Sequence, residues 1–190
     1  MDSGQHATRH QPGIIRRFLS FVICIAVVLV AAWGIRTYVV EPFEVPSASM
    51  ETTIMTGDRL FAEKVSYHFS DPQPGDIVVF SDPQVPSRVL VKRVIATEGQ
   101  TVSMSGGVLY IDGVAQSESY TEGETYPLSQ TAGNVSLSYP YVVPEGEVWV
   151  MGDNRENSSD SRYFGSIDVD TVFGKAIVTY WPLDRVGFLN

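Results

Sequence analysis

The chain is short of the residues that most enzymes use for acid–base and metal chemistry. It has one cysteine and three histidines among 190 residues. A lone thiol, Cys24, excludes an internal disulfide and a thiolate zinc site. His6 and His10 precede a long apolar run and only His68 follows it, which excludes a histidine metal cluster. Positive charge is scarce too, with 13 Lys and Arg against 22 Asp and Glu. Its distribution is uneven. Residues 1–36 carry Arg9, Arg16, Arg17 and Arg36 against Asp2, a net charge of +3, whereas residues 37–190 hold nine basic and 21 acidic residues, a net charge of −12. A body that acidic argues against binding nucleic acid through its phosphates. The length suits one domain with a real core, plus an appendage.

What the sequence does have is one charge-free run of 18 residues, Phe18 to Ile35, FLSFVICIAVVLVAAWGI. As a helix it would cover about 27 Å, close to the hydrocarbon thickness of a bilayer. Arg9, Arg16 and Arg17 flank its N-terminal side, so the excess of positive charge puts the N-terminus in the cytoplasm and the acidic body outside. Trp33 and Tyr38 fall where an interfacial aromatic belt sits. A cleaved signal peptide has a shorter apolar region, about 7–15 residues, followed closely by a small-x-small site. Here Arg36, Thr37 and Tyr38 follow, and the small triplet Ser47-Ala48-Ser49 lies far beyond the apolar end. A run that is apolar all round is also a poor buried helix for a small soluble core. The expectation is a cytoplasmic tail over 1–13, a transmembrane anchor helix over 14–36 and an extracytoplasmic domain over 37–190.

Beyond residue 45 the sequence breaks into short runs rich in β-branched residues, separated by Gly, Pro and Asp. Strand candidates are 59–67, 75–80, 88–97, 108–113, 147–153 and 174–182, with turns at DPQPGD (71–76) and SDPQVPS (81–87). No helical periodicity competes after residue 40, so the domain is expected to be all-β with twisted antiparallel sheets. Residues 114–143 are rich in Ser, Thr, Tyr and Glu and read as an irregular insertion in which nothing suggests chemistry.

Three segments carry chemistry-bearing residues. VPSASMETTI (45–54) sets Ser47 and Ser49 in a proline-anchored turn just past the apolar run. Ser-rich turns are commonplace, and a serine becomes a nucleophile only beside a base. His68, in VSYHFSDP, sits at a strand-to-turn edge where histidines are mostly solvated. Lys92, in RVLVKRVIA, is embedded in aliphatic residues; strand alternation puts Leu90, Lys92 and Val94 on one face and Val91, Arg93 and Ile95 on the other. A desolvated lysine can lose about 3 pKa units and act as a general base. A snorkelling lysine with its ammonium in water fits the same segment. The third segment, MGDNRENSSDSRYFG (151–165), packs Asp, Asn, Arg, Ser and Gly into a polar turn able to hold one side chain rigidly.

Together these segments resemble the type I signal peptidases, membrane-bound serine proteases with a Ser/Lys dyad. PSASM resembles the nucleophile box, GDIVVF the second box, VKRVIA the lysine box and GDNRENSSDSRYFG the most specific signature, in the family's order behind an N-terminal anchor. The resemblance covers residues 36–113 and 144–182. It implies the signal-peptidase, LexA-like β-fold and the removal of signal peptides from secreted preproteins after small residues at −1 and −3. It implies no cofactor and no metal. Position by position it makes Ser49 the nucleophile, Lys92 the general base, and Ser47 with the Ser49 N–H the oxyanion hole. Ser158 would orient the lysine, supported by Asp160 with Arg162 and by Asp153 with Arg93. Phe43, Val45, Met50, Ile54, Leu90 and Val91 would line the substrate pockets. The serine's place just outside the helix suits a cleavage site that emerges at the outer membrane surface. The chain departs from the family in having Thr52 where proline is usual, Glu156 and Ser159 in the last box, and one anchor helix rather than two. A non-catalytic membrane-anchored β domain that binds extracytoplasmic partners is the alternative reading.

Overall fold

The computed structural model describes residues 13–133 and 135–189. The expected N-terminal tail, with Arg9, His6 and His10, lies outside the described residues apart from Gly13. The chain divides into two compact units, residues 1–38 and 39–190.

In the first unit a single helix, α1, runs over Ile14–Tyr38. Its 25 residues span about 37 Å. It buries none of its side chains, and it is long and apolar enough to cross a membrane. Trp33 and Tyr38 meet edge to face near its C-terminal end, with ring centroids 6.3 Å apart.

The second unit is built from strands. In chain order they are β1 (Val40–Glu44), β2 (Arg59–Glu63), β3 (Ile77–Ser81), β4 (Val89–Thr97), β5 (Thr101–Ser105) and β6 (Val108–Ile111). There follow β7 (Val114–Ala115), β8 (Tyr141–Val142), β9 (Glu147–Met151), a one-turn helix α2 (Ser161–Phe164), β10 (Ile167–Asp168), β11 (Val172–Trp181) and β12 (Gly187–Phe188). The larger sheet has the order β1-β2-β11-β3-β4-β9-β10, with β12 added beside β11, and the smaller has the order β7-β6-β5-β8. All pairings of named strands are antiparallel. The expected all-β class is what forms. Among the short strands absent from the sequence reading, β1 has its apolar alternation broken by Pro and Glu, and β5 alternates over five residues only, with Val102 and Met104 as its apolar positions.

The central strands are buried on both faces. In β3, Val78 and Phe80 pack with Val94, Val150 and Phe164, while Ile77 and Val79 turn to the other side and pack with Leu60, Ile54 and Met50. β4 lies next to β3, pairing Val78 with Lys92 and Val79 with Val91. Leu90 and Val94 accordingly share the Phe80 face and Val91 shares the other. A third cluster, around Trp149, Ile95 and Leu109, joins the larger sheet to the smaller one. Phe80 is fully buried and its ring meets Phe164 at a centroid distance of 6.4 Å. Phe80→Ala removes that contact and leaves a cavity in the middle of the larger sheet. It should destabilise the β domain by about 3–5 kcal/mol, measured as a lower urea midpoint.

Candidate active site

Two turns and one strand converge. The first turn follows β1, where Ala48–Met50 form a single 3-10 turn after Ser47. Backbone bonds from Thr53 N and Ile54 N to the Met50 carbonyl tighten it. The strand is β4, and the second turn is the stretch between β9 and α2.

Lys92 and Ser49 meet directly, with Nζ 2.5 Å from Oγ. Lys92 is 2% exposed, so it does not snorkel to water. As an ammonium it donates to Oγ, and as a neutral amine it accepts the hydroxyl proton. Burial brings the amine down from an ordinary value of 10.5 to about 8. The carboxylates of Asp160, Asp153 and Asp82 pull the other way, and Arg88 adds to the lowering. The Ser47 hydroxyl lies 3.4 Å from that of Ser49. His68, by contrast, sits exposed in the short turn Ser66–His68 and does not border the serine's cleft.

The polar turn braces both partners through buried ion pairs. Arg93 donates Nε and Nη2 to the two oxygens of Asp153, at 2.9 and 2.8 Å. The same carboxylate accepts from the Thr53 hydroxyl at 2.5 Å, which links the serine turn to β4. Asp160 accepts from Nε and Nη2 of Arg162 and from the N–H of Gly152. Burial alone would raise the Asp160 pKa, but the arginine and that N–H hold it below the usual carboxylate range. Asp160 also caps α2 by accepting from the Arg162 N–H. Asn154 N–H donates to the Ser49 carbonyl at 3.2 Å.

Gly152 sets how closely these parts approach. A Cβ there would collide with the Ser158 hydroxyl and the Ser49 carbonyl oxygen and would stand 2.7 Å from Ser158 Cβ. Only glycine fits.

A cleft of about 630 Å³ opens beside the pair. Phe43, Val45, Met50, Leu90 and Val91 line it, together with Arg88, Asn157 and Ser159. Two expectations need correction. Ile54 does not line the cleft; the tightening of the serine turn carries it inward, and it is fully buried against Leu60 and Val79. The bond from Ser158 to the lysine amine is not formed. Its hydroxyl is buried near enough to Asp160 to favour the carboxylate's charge, yet makes no hydrogen bond of normal geometry, and Lys92 Nζ bonds to Ser49 instead. The sequence reading also passed over the insertion, of which residues 118–126 lie against both turns. No group of three or more metal-ligating side chains occurs among the described residues.

Two outcomes follow from this packing. Gly152→Ala should push the serine turn out of register and lower turnover about 100-fold, measured as kcat on any substrate the wild type cuts. The second concerns stability. Unfolded Lys92 keeps its proton up to 10.5, but folded Lys92 releases it near 8, so stability should climb as pH rises from 8 to 10.5. Lys92→Met should flatten that climb and raise the unfolding midpoint at pH 7, read by thermal melts across pH.

Comparison with known proteins identifies the family. The family described as "Signal peptidase, peptidase S26" matches residues 16–181. A "Probable signal peptidase I-1" of Synechocystis is 41% identical over 172 residues, covering 86% of this chain and 83% of that protein. A "Signal peptidase I" of Leptolyngbya laminosa is 37% identical over 187 residues, covering 95% of this chain and 88% of that one. A crystal structure of a signal peptidase I from Enterococcus faecalis is 35% identical and covers 56% of this chain and 97% of its own, with a TM-score of 0.43. With a matching family over most of its length and relatives of this similarity, the chain belongs to the signal peptidases of peptidase family S26.

Proposed function

We propose that the chain is a membrane-anchored serine endopeptidase in which Ser49 and Lys92 form the catalytic dyad and preproteins are cut after small residues at −1 and −3. Signal-peptide removal is the activity of its family. The observation that carries the finer reading is a buried amine, brought down to about 8, held 2.5 Å from a serine hydroxyl.

In this mechanism the neutral Lys92 amine takes the Oγ proton as Ser49 attacks the carbonyl carbon of the residue at −1. The carbonyl oxygen becomes an oxyanion, for which the Ser49 N–H and the Ser47 hydroxyl are the donors. One such donor is worth about 3–4 kcal/mol in the transition state. The lysine then gives its proton to the departing amine of the mature chain, leaving the signal peptide esterified to Ser49. Water attacks this ester, Lys92 takes the water's proton and returns one to Oγ, and the dyad is restored. Met50, Val45, Leu90 and Val91 give the cleft apolar walls suited to short side chains. Arg93 with Asp153, and Arg162 with Asp160, serve as support.

α1 is the membrane anchor in this reading, with the N-terminus in the cytoplasm and the catalytic domain on the extracytoplasmic face. The arginine flank and the acidic remainder support that orientation. The partners are signal-peptide-bearing preproteins and the lipid bilayer, without nucleic acid.

At pH 7 about a tenth of a lysine with a pKa near 8 is neutral, rising to half at pH 8. Activity therefore has an acid limb centred near 8 and increases with pH through it. The test is cleavage of a preprotein with Ala at −1 and −3 by detergent-solubilised wild type, Ser49→Ala and Lys92→Ala across pH 6–10. Only wild type should cut, with that limb. Equal cleavage by Lys92→Ala would remove the dyad.

A further inference from the structure

Three guanidiniums, those of Arg93, Arg155 and Arg162, are buried around the active-site turns. Two find their carboxylates in the signature loop itself, on Asp153 and Asp160. The third, Arg155, has its ion-pair partner in the insertion. Its Nη1 and Nη2 donate to the two oxygens of Glu118, each at 2.6 Å. Nη1 also donates to the Thr125 hydroxyl at 2.7 Å, and Nε donates to the Gly152 carbonyl at 3.0 Å. One buried arginine thus ties two points of the insertion to the glycine that lies against Ser49.

The backbone repeats the connection. Glu122 N–H donates to the Asp153 carbonyl and Arg155 N–H to the Glu122 carbonyl, forming a small parallel bridge between Glu122 and Asn154. Gly123, at φ +82°, lies against the Glu156 side chain so closely that an added Cβ would stand 2.6 Å from its Cγ. Arg162 Nη1 reaches the Tyr126 carbonyl at 3.3 Å.

Tyr120 joins these threads at one residue. The face of its ring lies 4.1 Å from the Arg93 guanidinium carbon, within cation–π range. Its hydroxyl donates to Glu118 at 2.8 Å. Its carbonyl accepts from the Thr52 hydroxyl, in the serine turn, at 2.6 Å. The Thr52 hydroxyl therefore fastens the serine turn to the insertion.

We propose that residues 118–126 form a positioning strap for the reaction, with Tyr120 and Glu118 as positioning residues that hold the Ser49 turn and the 152–155 loop in register with β4. The proposal rests on Ser49 and Lys92 being the dyad. The strap's contacts fall on the neighbours of the reacting groups: Thr52 beside Ser49, Arg93 next to Lys92, and Gly152 against the Ser49 carbonyl. A displacement of about 1 Å at the serine is enough to lower turnover about 100-fold.

The test uses the full chain in detergent and the same Ala −1/−3 preprotein, with kcat, KM and the pH profile measured for wild type, Tyr120→Phe, Tyr120→Leu and Thr52→Val. Tyr120→Phe keeps the ring over Arg93 and should stay within about 3-fold of wild-type kcat. Tyr120→Leu should lower kcat about 10–100-fold, with KM within about 2-fold and the acid limb still near 8. Thr52→Val, which removes one hydroxyl at the edge of the turn, should lower kcat about 3–10-fold. If Tyr120→Leu does not fold, Thr52→Val decides. Wild-type kcat in both Tyr120→Leu and Thr52→Val, even with lower melting temperatures, would overturn the proposal by making the strap purely structural. A change confined to KM would overturn it in favour of a substrate contact. An inactive wild type, or an active Lys92→Ala, would instead bring down the dyad and the strap with it, a result visible before any strap variant is compared.

Discussion

An amine that is to accept a proton near neutral pH must be taken out of water without being surrounded by uncompensated negative charge. This constraint organises the β domain. Lys92 is buried between elements that also bury Asp153 and Asp160, and both carboxylates raise its hold on a proton. Left bare, they would undo what desolvation achieves. Each is instead held in a fork by an arginine, Asp153 by Arg93 and Asp160 by Arg162, whose opposite charge offsets part of that field. Buried pairs of this kind add little net stability compared with an apolar core. Here they allow a polar turn to pack against a buried lysine.

The same pairs solve a mechanical problem. The serine turn, β4 and the loop after β9 are far apart in sequence, and each has its own reasons for its local shape. Asp153 touches two of them at once through Arg93 and Thr53. Asp153 itself belongs to the third, and Arg155 in that same loop bonds the Gly152 carbonyl and carries the connection into the insertion. The site is a set of short segments cross-linked by multidentate groups, which limits relative movement more than any single bond would.

Much of this was legible in the sequence, and the exceptions have physical causes. Alternation and β-branched residues marked β4, β9 and β11, and the apolar run marked α1. β1 has Pro42 and Phe43 together between its two glutamates and so lacks a period-2 signal, while β5 alternates but over only five residues with two apolar positions, too few to stand out. Burial of Lys92 could be suspected from its apolar neighbours, but its proximity to Ser49 depends on a turn closing from 43 residues away. Ile54 was assigned to the pockets by resemblance alone, and a resemblance does not say which way a tight turn will point the residues after it. The strap was least visible of all. Several of its bonds use backbone carbonyls and N–H groups, as at Tyr120 and Glu122, which any residue could supply. Glu118 and Tyr120 look like ordinary members of a polar stretch until Arg155 and Arg93 arrive beside them.

The two halves of the proposed dyad stand on supports of different kinds. Lys92 belongs to β4, which is hydrogen-bonded to β3 on one side and β9 on the other, and from Lys92 to Ala96 every side chain is buried. Backbone amides in such a strand exchange with solvent only when the whole domain opens. Ser49 is on a single 3-10 turn held by tethers, and turns of that sort open locally at much lower free energy. The lysine is therefore as durable as the core, and the serine is only as durable as its ties. On warming, the domain would lose its alignment at the serine while its sheets remained intact, so that the enzyme falls silent before it melts.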